Sequence, residues 1–110
     1  MLREAQGVRR YNTQITLTYT GREVDDYGHA TYTKPIEVAK VYASVERMSE
    51  AKVLMTFQQA EVIGLDIELR NPNVLFNGID YQGHEVHFVE PEQRERGRIL
   101  RISGWYQVDH

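Results

Sequence analysis

The chain has no cysteine. Disulfides are therefore excluded, and so are metal sites built on thiolates. That fits a reducing cytoplasm. Long hydrophobic runs are also missing, so no segment reads as a membrane span. The opening residues, MLREAQGVRR, carry charge with no apolar stretch behind them and do not read as a secretory signal. An excess of positive charge is absent too. Lys and Arg total 13 against 16 Asp and Glu, for a net charge of -3. Domains that grip phosphate usually show a basic face. The only dense basic cluster is Arg94, Arg96, Arg98 and Arg101, interleaved with Glu92 and Glu95, and it reads as a solvated turn. Internal repeats and low-complexity tracts are absent.

Arrangements that carry chemistry are equally scarce. His84 and His87 have the spacing that holds a metal on a helix, but on a strand residues three apart point to opposite faces. His29 and His110 stand in a loop and at the terminus. Glu23, Asp25 and Asp26 lie on a solvated loop without the burial that tunes a carboxylate for acid–base work. Ser44, Ser49 and Ser103 sit in no nucleophile elbow. The eight glycines are scattered at turns and form no phosphate cradle. The reading is a protein that is not an enzyme and that has no metal and no cofactor.

What is present is strand pattern. At 110 residues and 41% hydrophobic content the chain supports one domain, 1–110, with a real but small core. NTQITLTYT alternates, with Ile15, Leu17 and Tyr19 on one face. IEVAKVYASVE alternates again, with Ala39, Val41, Ala43 and Val45 inward and Lys40, Tyr42, Ser44 and Glu46 outward. Ser49 is an N-cap and Glu50 suits the first turn of a helix carrying Val53, Leu54, Phe57 and Ala60 in one stripe, about three turns long. Met55 and Phe57 read as packing residues. From Val62 the period returns to two, with Ile63, Leu65, Ile67 and Leu69 on one face until Asn71-Pro72-Asn73 breaks the strand. Leu75 or Phe76 is placed to plug a barrel end. IDYQGHEVHFVE reads as a tight hairpin turning at Gln82-Gly83, with Val86 and Phe88 inward. EPEQRERG is a charged loop, and RILRISGWYQV is the last strand, with Leu100, Ile102 and Tyr106 on one face and Trp105 on the other.

The pattern predicts a mainly β fold: a small antiparallel β-barrel or rolled sheet of about five to six strands. One α-helix falls between the second and third strands, and a long loop, residues 21–35, between the first two. Residues 1–10 are expected to be a flexible N-terminal arm. The long loop is the odd feature. Gly21, Glu23, Asp25, Asp26, Tyr27, Gly28 and His29 make it polar and permissive, and a domain of this size rarely keeps so long a loop without use for it. Tyr42, Arg94, Arg96, Arg98 and Trp105 are candidate surface contact residues.

The order of these elements resembles the head–tail joining family of tailed bacteriophages, the head-closure or stopper proteins. YNTQITLTY precedes a long loop with DDYGHATYTK, similar to the family's acidic, glycine-centred stretch. VYASVERMS resembles the family's aromatic-Ala-Ser run into the helix. FQQAEV followed by DIELR, and IDYQGHEVHFV with its Tyr-x-Gly turn, resemble the parts that follow. The likeness spans about Arg10 to Val108. The chain departs from the pattern where Arg70 is followed by Asn71-Pro72, and along NPNVLFNG.

The resemblance implies a small barrel with a helix at its side, in a homo-oligomeric ring of about twelve or six copies. The ring would stack between the portal-bound adaptor and the tail, close the filled head, and pass DNA through its channel without sequence-specific binding. The expected place is the neck of the virion, after assembly in the host cytoplasm, with no membrane partner. Acidic side chains on the long loop would repel phosphate, so a ring of such loops would act as a gate; a clasp onto the neighbouring subunit is the alternative. Two other readings stay open. One is a small oligonucleotide-binding barrel, which needs a basic, aromatic-lined strand face. The other is a different neck or tail-completion protein of similar architecture.

Overall fold

A computed structural model describes residues 10–58 and 61–108 of the chain. The expected arm over 1–10 lies outside these residues except for Arg10, and so does Ala60 of the helical stripe. The described elements run β1 (Thr13–Tyr19), β2 (Arg22–Val24), β3 (Ala30–Tyr32), β4 (Ile36–Arg47), α1 (Glu50–Phe57), β5 (Val62–Arg70), β6 (Gly78–Tyr81), β7 (His84–Phe88), β8 (Glu92–Arg94) and β9 (Ile99–Gln107).

Six strands close into an antiparallel barrel in the order β5-β4-β1-β6-β7-β9, with β9 returning to β5. The β5–β9 seam is the longest, running from Val62↔Gln107 to Arg70↔Ile99. The β7–β9 seam is short, with only His87↔Trp105 and Phe88↔Gly104 in register. A side chain at Gly104 would meet Val86 Cγ1 at 2.5 Å and the His87 carbonyl at 3.1 Å, so this seam closes only over a bare backbone. Further along β9, the edge that β7 leaves is taken by β8, from Glu92↔Arg101 to Arg94↔Ile99.

Register explains the core. Leu17 opposes both Ala39 and Ile79, and Ile79 opposes Val86. Ile67 opposes Val45 and Ile102, and Leu69 opposes Ala43 and Leu100. Each strand thus delivers its alternate apolar residues to one interior. Ile15, Leu17, Ile67, Leu69, Ile79 and Ile102 are the largest side chains that are fully buried. Burying each is worth about 1.5–3 kcal/mol.

The inward faces expected for β5, β7 and β9 agree with this arrangement, and so do Ile15 and Leu17 of β1; Tyr19 does not, because the register of β1 shifts after Leu17 and sets Tyr19 opposite exposed Ile36. Other expectations are corrected. There are nine described strands rather than five or six, because the long loop contains β2 and β3 and the charged loop contains β8. Counted along the chain the helix therefore follows the fourth strand, although among barrel strands it still separates the second from the third. The helix is 8 residues long, about two turns rather than three. Ser44, expected outside with Tyr42, is only 6% exposed. Its cross-strand partner Glu68 accepts a hydrogen bond from the Tyr11 hydroxyl, so Tyr11 reaches over this part of the barrel wall.

The helix ends as its sequence dictates. The Ser49 side chain accepts from the Lys52 N–H, and Gln58 closes the C-terminus in the left-handed region. Its packing is narrower than the stripe suggested. Val53 is buried and Phe57 half-buried, but Leu54 is exposed and Met55 is 82% exposed, so Met55 is not a packing residue. The cause is the contact point. A side chain at Gly64 would lie 2.7 Å from Val53 and 2.9 Å from Met48, so α1 rests on bare β5 backbone and touches little else. At the barrel end, Phe76 packs against the core and Phe88, with ring centroids 6.2 Å apart, while Leu75 stays exposed.

Candidate functional site

Residues Gly21 to Lys34 form an arm, not an open loop. β2 and β3 pair as an antiparallel ribbon through Arg22↔Tyr32, Glu23↔Thr31 and Val24↔Ala30. The sequence hid this because each strand is three residues long, too short to display a period. The available signal was the turn, D-D-Y-G, set between short runs that contain Val24 and Ala30-Thr31-Tyr32.

Asp25 builds that turn. Its Oδ1 accepts hydrogen bonds from the N–H groups of Tyr27 at 2.9 Å and His29 at 2.8 Å. Its Oδ2 lies 3.2 Å from His29 Nδ1. The Asp25 N–H donates to the His29 carbonyl, and Gly28 takes φ +82°. Asp25 is thus engaged inside the arm, whereas Glu23 and Asp26 make no hydrogen bond or ion pair among the described residues. Tyr27, at the tip, is 85% exposed.

The base of the arm is tied to the barrel. Thr33 N–H donates to the Gly21 carbonyl, and Gly21 N–H to Thr33 Oγ1. Asn77 clamps the other side. Its amide accepts from the Thr20 N–H and donates to the Thr20 carbonyl, both at 2.9 Å. Sequence reading overlooked Asn77, which lies in the irregular NVLFNG connection.

Beyond this base the arm stands free. β2 and β3 touch no other element, and every residue from Arg22 to Glu37 is exposed. The described residues measure 64 × 33 × 23 Å with a radius of gyration of 15.9 Å. A compact chain of this length has about 13 Å. Opposed residues of a ribbon share a face. One face of the arm therefore carries Arg22, Val24, Ala30 and Tyr32, and the other Glu23 and Thr31. The first face is largely apolar and uncovered. An isolated two-stranded ribbon is marginal in water, so this shape suits a segment completed by contact.

The other candidates fall in three places. Tyr42 is exposed on β4, beside a groove lined by Tyr11, Lys40, Val41, Arg70, Asn71 and Pro72. Arg70 stacks over the Tyr11 ring at 5.6 Å, and burial together with the Glu68 hydrogen bond raises the Tyr11 pKa. The arginines belong to the β8–β9 hairpin. Arg94 pairs with Glu92 at 2.9 Å, while Arg96 and Arg98 are exposed in the turn. Asn71 fixes that turn by donating to the Gly97 carbonyl from its side chain and to the Arg98 carbonyl from its backbone. Trp105 lies elsewhere again. It is half-buried, opposite Gly64 in register, with its ring 6.4 Å from Phe57 and 4.6 Å from His87. Much of that ring is therefore committed to seating α1.

His84 and His87 diverge as strand geometry requires. His84 stacks on Tyr106 at 4.3 Å, and His87 meets Trp105 on the other face. Among the described residues no group of three or more His, Asp or Glu could hold a metal ion, and no helix is long and apolar enough to cross a membrane.

No protein-family model matches the chain, and no curated protein matches it in sequence. Solved structures do. The solution structure of protein SF1141 from Shigella flexneri 2a is similar over 94% of this chain and 98% of that one, at 15% identity and a TM-score of 0.66. A chain in the virion of the native gene transfer agent particle is similar over 92% of this chain and 98% of that one, at 17% identity and a TM-score of 0.67. At these identities the likeness is one of fold, and it extends over nearly the whole of each chain.

Proposed function

We propose that this chain is a structural virion protein of the phage neck. Copies form a ring that closes the DNA-filled head and joins the portal-bound adaptor to the tail. The observation that carries this reading is the β2–β3 arm, whose apolar face no described part of the chain covers. A barrel of the same fold within a gene transfer agent virion supports it. The role is structural, not catalytic. The barrel supplies a rigid block, and the surface features supply contacts.

In such a ring the arm meets a neighbour, and the β8–β9 turn meets an adjoining ring. Exposed mixed charge at Arg96, Arg98 and Glu95 suits contacts that set register and steer assembly. Closed rings arise from head-to-tail contacts between two different patches on each copy, and an arm at one side of a barrel provides one such patch.

The test is electron microscopy of the purified full chain mixed with portal–adaptor assemblies. An added annular layer on the adaptor is the expected result. Adaptors that stay bare at saturating protein would overturn the proposal. Reversing charge at Arg96 and Arg98 together is expected to reduce occupancy of the next layer while leaving the ring itself intact.

A further inference from the structure

Among the described residues, the barrel wall is incomplete along β4. β4 is 12 residues long, but β5 pairs with it only from Ala43 to Arg47. From Ile36 to Tyr42, β4 has β1 on one edge and no described strand on the other. No backbone hydrogen bond from the Asn71–Asn77 connection reaches that edge; Asn71 bonds to Arg98 and Asn77 to Thr18. The groove of Tyr11, Lys40, Val41, Tyr42, Arg70, Asn71 and Pro72 runs beside it. Ile36 and Tyr42, both exposed, stand at its two ends. Open strand edges of this kind are templates for another strand.

The arm has the complementary defect. β2 pairs only with β3, so each keeps an open outer edge. Its own edge of β4 is out of reach, because the arm points away from the barrel and touches no other element. Charge agrees. The groove presents Lys40 and Arg70, of which Lys40 has only a 3.8 Å contact to Glu37. At the turn of the arm Asp26 has no side-chain partner among the described residues, while Glu23 lies on the face opposite Val24 and Tyr32.

Resting on the ring reading above, we infer that the arm of one copy adds as a strand to the open Ile36–Tyr42 edge of β4 in the next copy. Main-chain hydrogen bonds supply the pairing, and the apolar arm face with Tyr32 and Val24 covers Tyr42 and its groove. Arm and edge are different patches, so the contact is head-to-tail and propagates around a ring. The arm is then a clasp between subunits, not a gate across the channel.

Absence of cysteine gives a clean test. A disulfide needs Cα atoms about 4.4–6.8 Å apart, close to the spacing of adjacent strands. Full-length chains with one cysteine in the arm (Glu23→Cys or Thr31→Cys) and one on the edge (Lys40→Cys or Tyr42→Cys) are assembled on portal–adaptor complexes, oxidised and run without reductant. The expected result is a ladder of crosslinked multimers from at least one arm–edge combination. Either single variant alone should give none. Rings visible by microscopy without a ladder overturn the arm–edge contact while leaving the neck ring standing. A ladder without rings supports the contact and removes the neck reading. Absence of both overturns both. Closure within one chain from Ala5→Cys to Lys40→Cys would identify the chain's own N-terminal segment as the occupant of the edge and overturn the inference.

Discussion

The barrel and the β2–β3 arm are both antiparallel pairings, yet only one of them buries anything. Along β5, alternate residues Leu65, Ile67 and Leu69 are enclosed because β4 and β9 flank that strand and the sheet closes on itself. Along β2 and β3 alternation is present too, with Val24, Ala30 and Tyr32 on one face, but no other described element meets them. Pairing alone therefore does not make a core; closure or a covering layer does. The barrel encloses a core of its own. The arm is the part whose stability depends on what it touches.

The largest contrast should come from truncating one side chain in each region. Ile67→Ala is expected to cost about 2–5 kcal/mol in urea unfolding, the usual range for a buried aliphatic that leaves a cavity. Tyr32→Ala should change the free chain by no more than about 0.5 kcal/mol, as surface substitutions do. Similar losses from both would show that the arm belongs to the cooperative core.

The seam under α1 sharpens the comparison, since it is a barrel face covered by a short helix. Gly64→Ala places a methyl group against Val53 and Met48. A cost of about 1–3 kcal/mol is expected from overpacking. The single tryptophan, Trp105, reports the displacement through its fluorescence because it sits between Phe57 and His87.

At the junction of the two regions, Asn77→Ala removes both hydrogen bonds to Thr20. About 0.5–1.5 kcal/mol per bond is the usual net contribution, less at so exposed a site. Hydrogen exchange should accelerate from Thr20 to Thr33 and stay unchanged in β5 and β9. Acceleration throughout would make the clamp part of the barrel, not of the arm.

The smallest effect concerns pH. Tyr11 keeps its proton more firmly in the folded chain than in the unfolded one, first because of burial and then because of the Glu68 carboxylate. The folded state therefore binds more protons near the tyrosine range. The stabilisation is present below the ordinary value near 10 and is lost as pH rises through the folded value. Absorbance titration should show one tyrosine ionising late, and Glu68→Gln should bring it earlier. Barrel tyrosine behaviour and arm exchange rates should not move together.

Much of this was legible residue by residue. Alternation in β5, in β9 and in β1 as far as Leu17 identified their inward faces, Ser49 announced the helix, and Gln82-Gly83 marked a two-residue hairpin. Other features were not. The arm was read as loop because three-residue strands carry no measurable period. Met55 was read as packing because a helical stripe says which residues share a face but not how wide a surface waits for it. Ser44 was placed outside because alternation cannot know that Tyr11 reaches over the wall to Glu68. The candidate surface was found as a stretch but not as a shape. Gly21 to His29 was singled out for its length and polarity, while Asn77 and the open edge of β4 depend on partners far away in the chain.

Strand periods, the helix cap and the turn chemistry follow from local residue order, because they depend on neighbours within a few residues. Tertiary structure alone decided that β9 returns to β5, that β4 outruns its partner, and that the arm is left uncovered. Those outcomes depend on which distant strands meet and in what register, and a local hydrophobic period is silent about both.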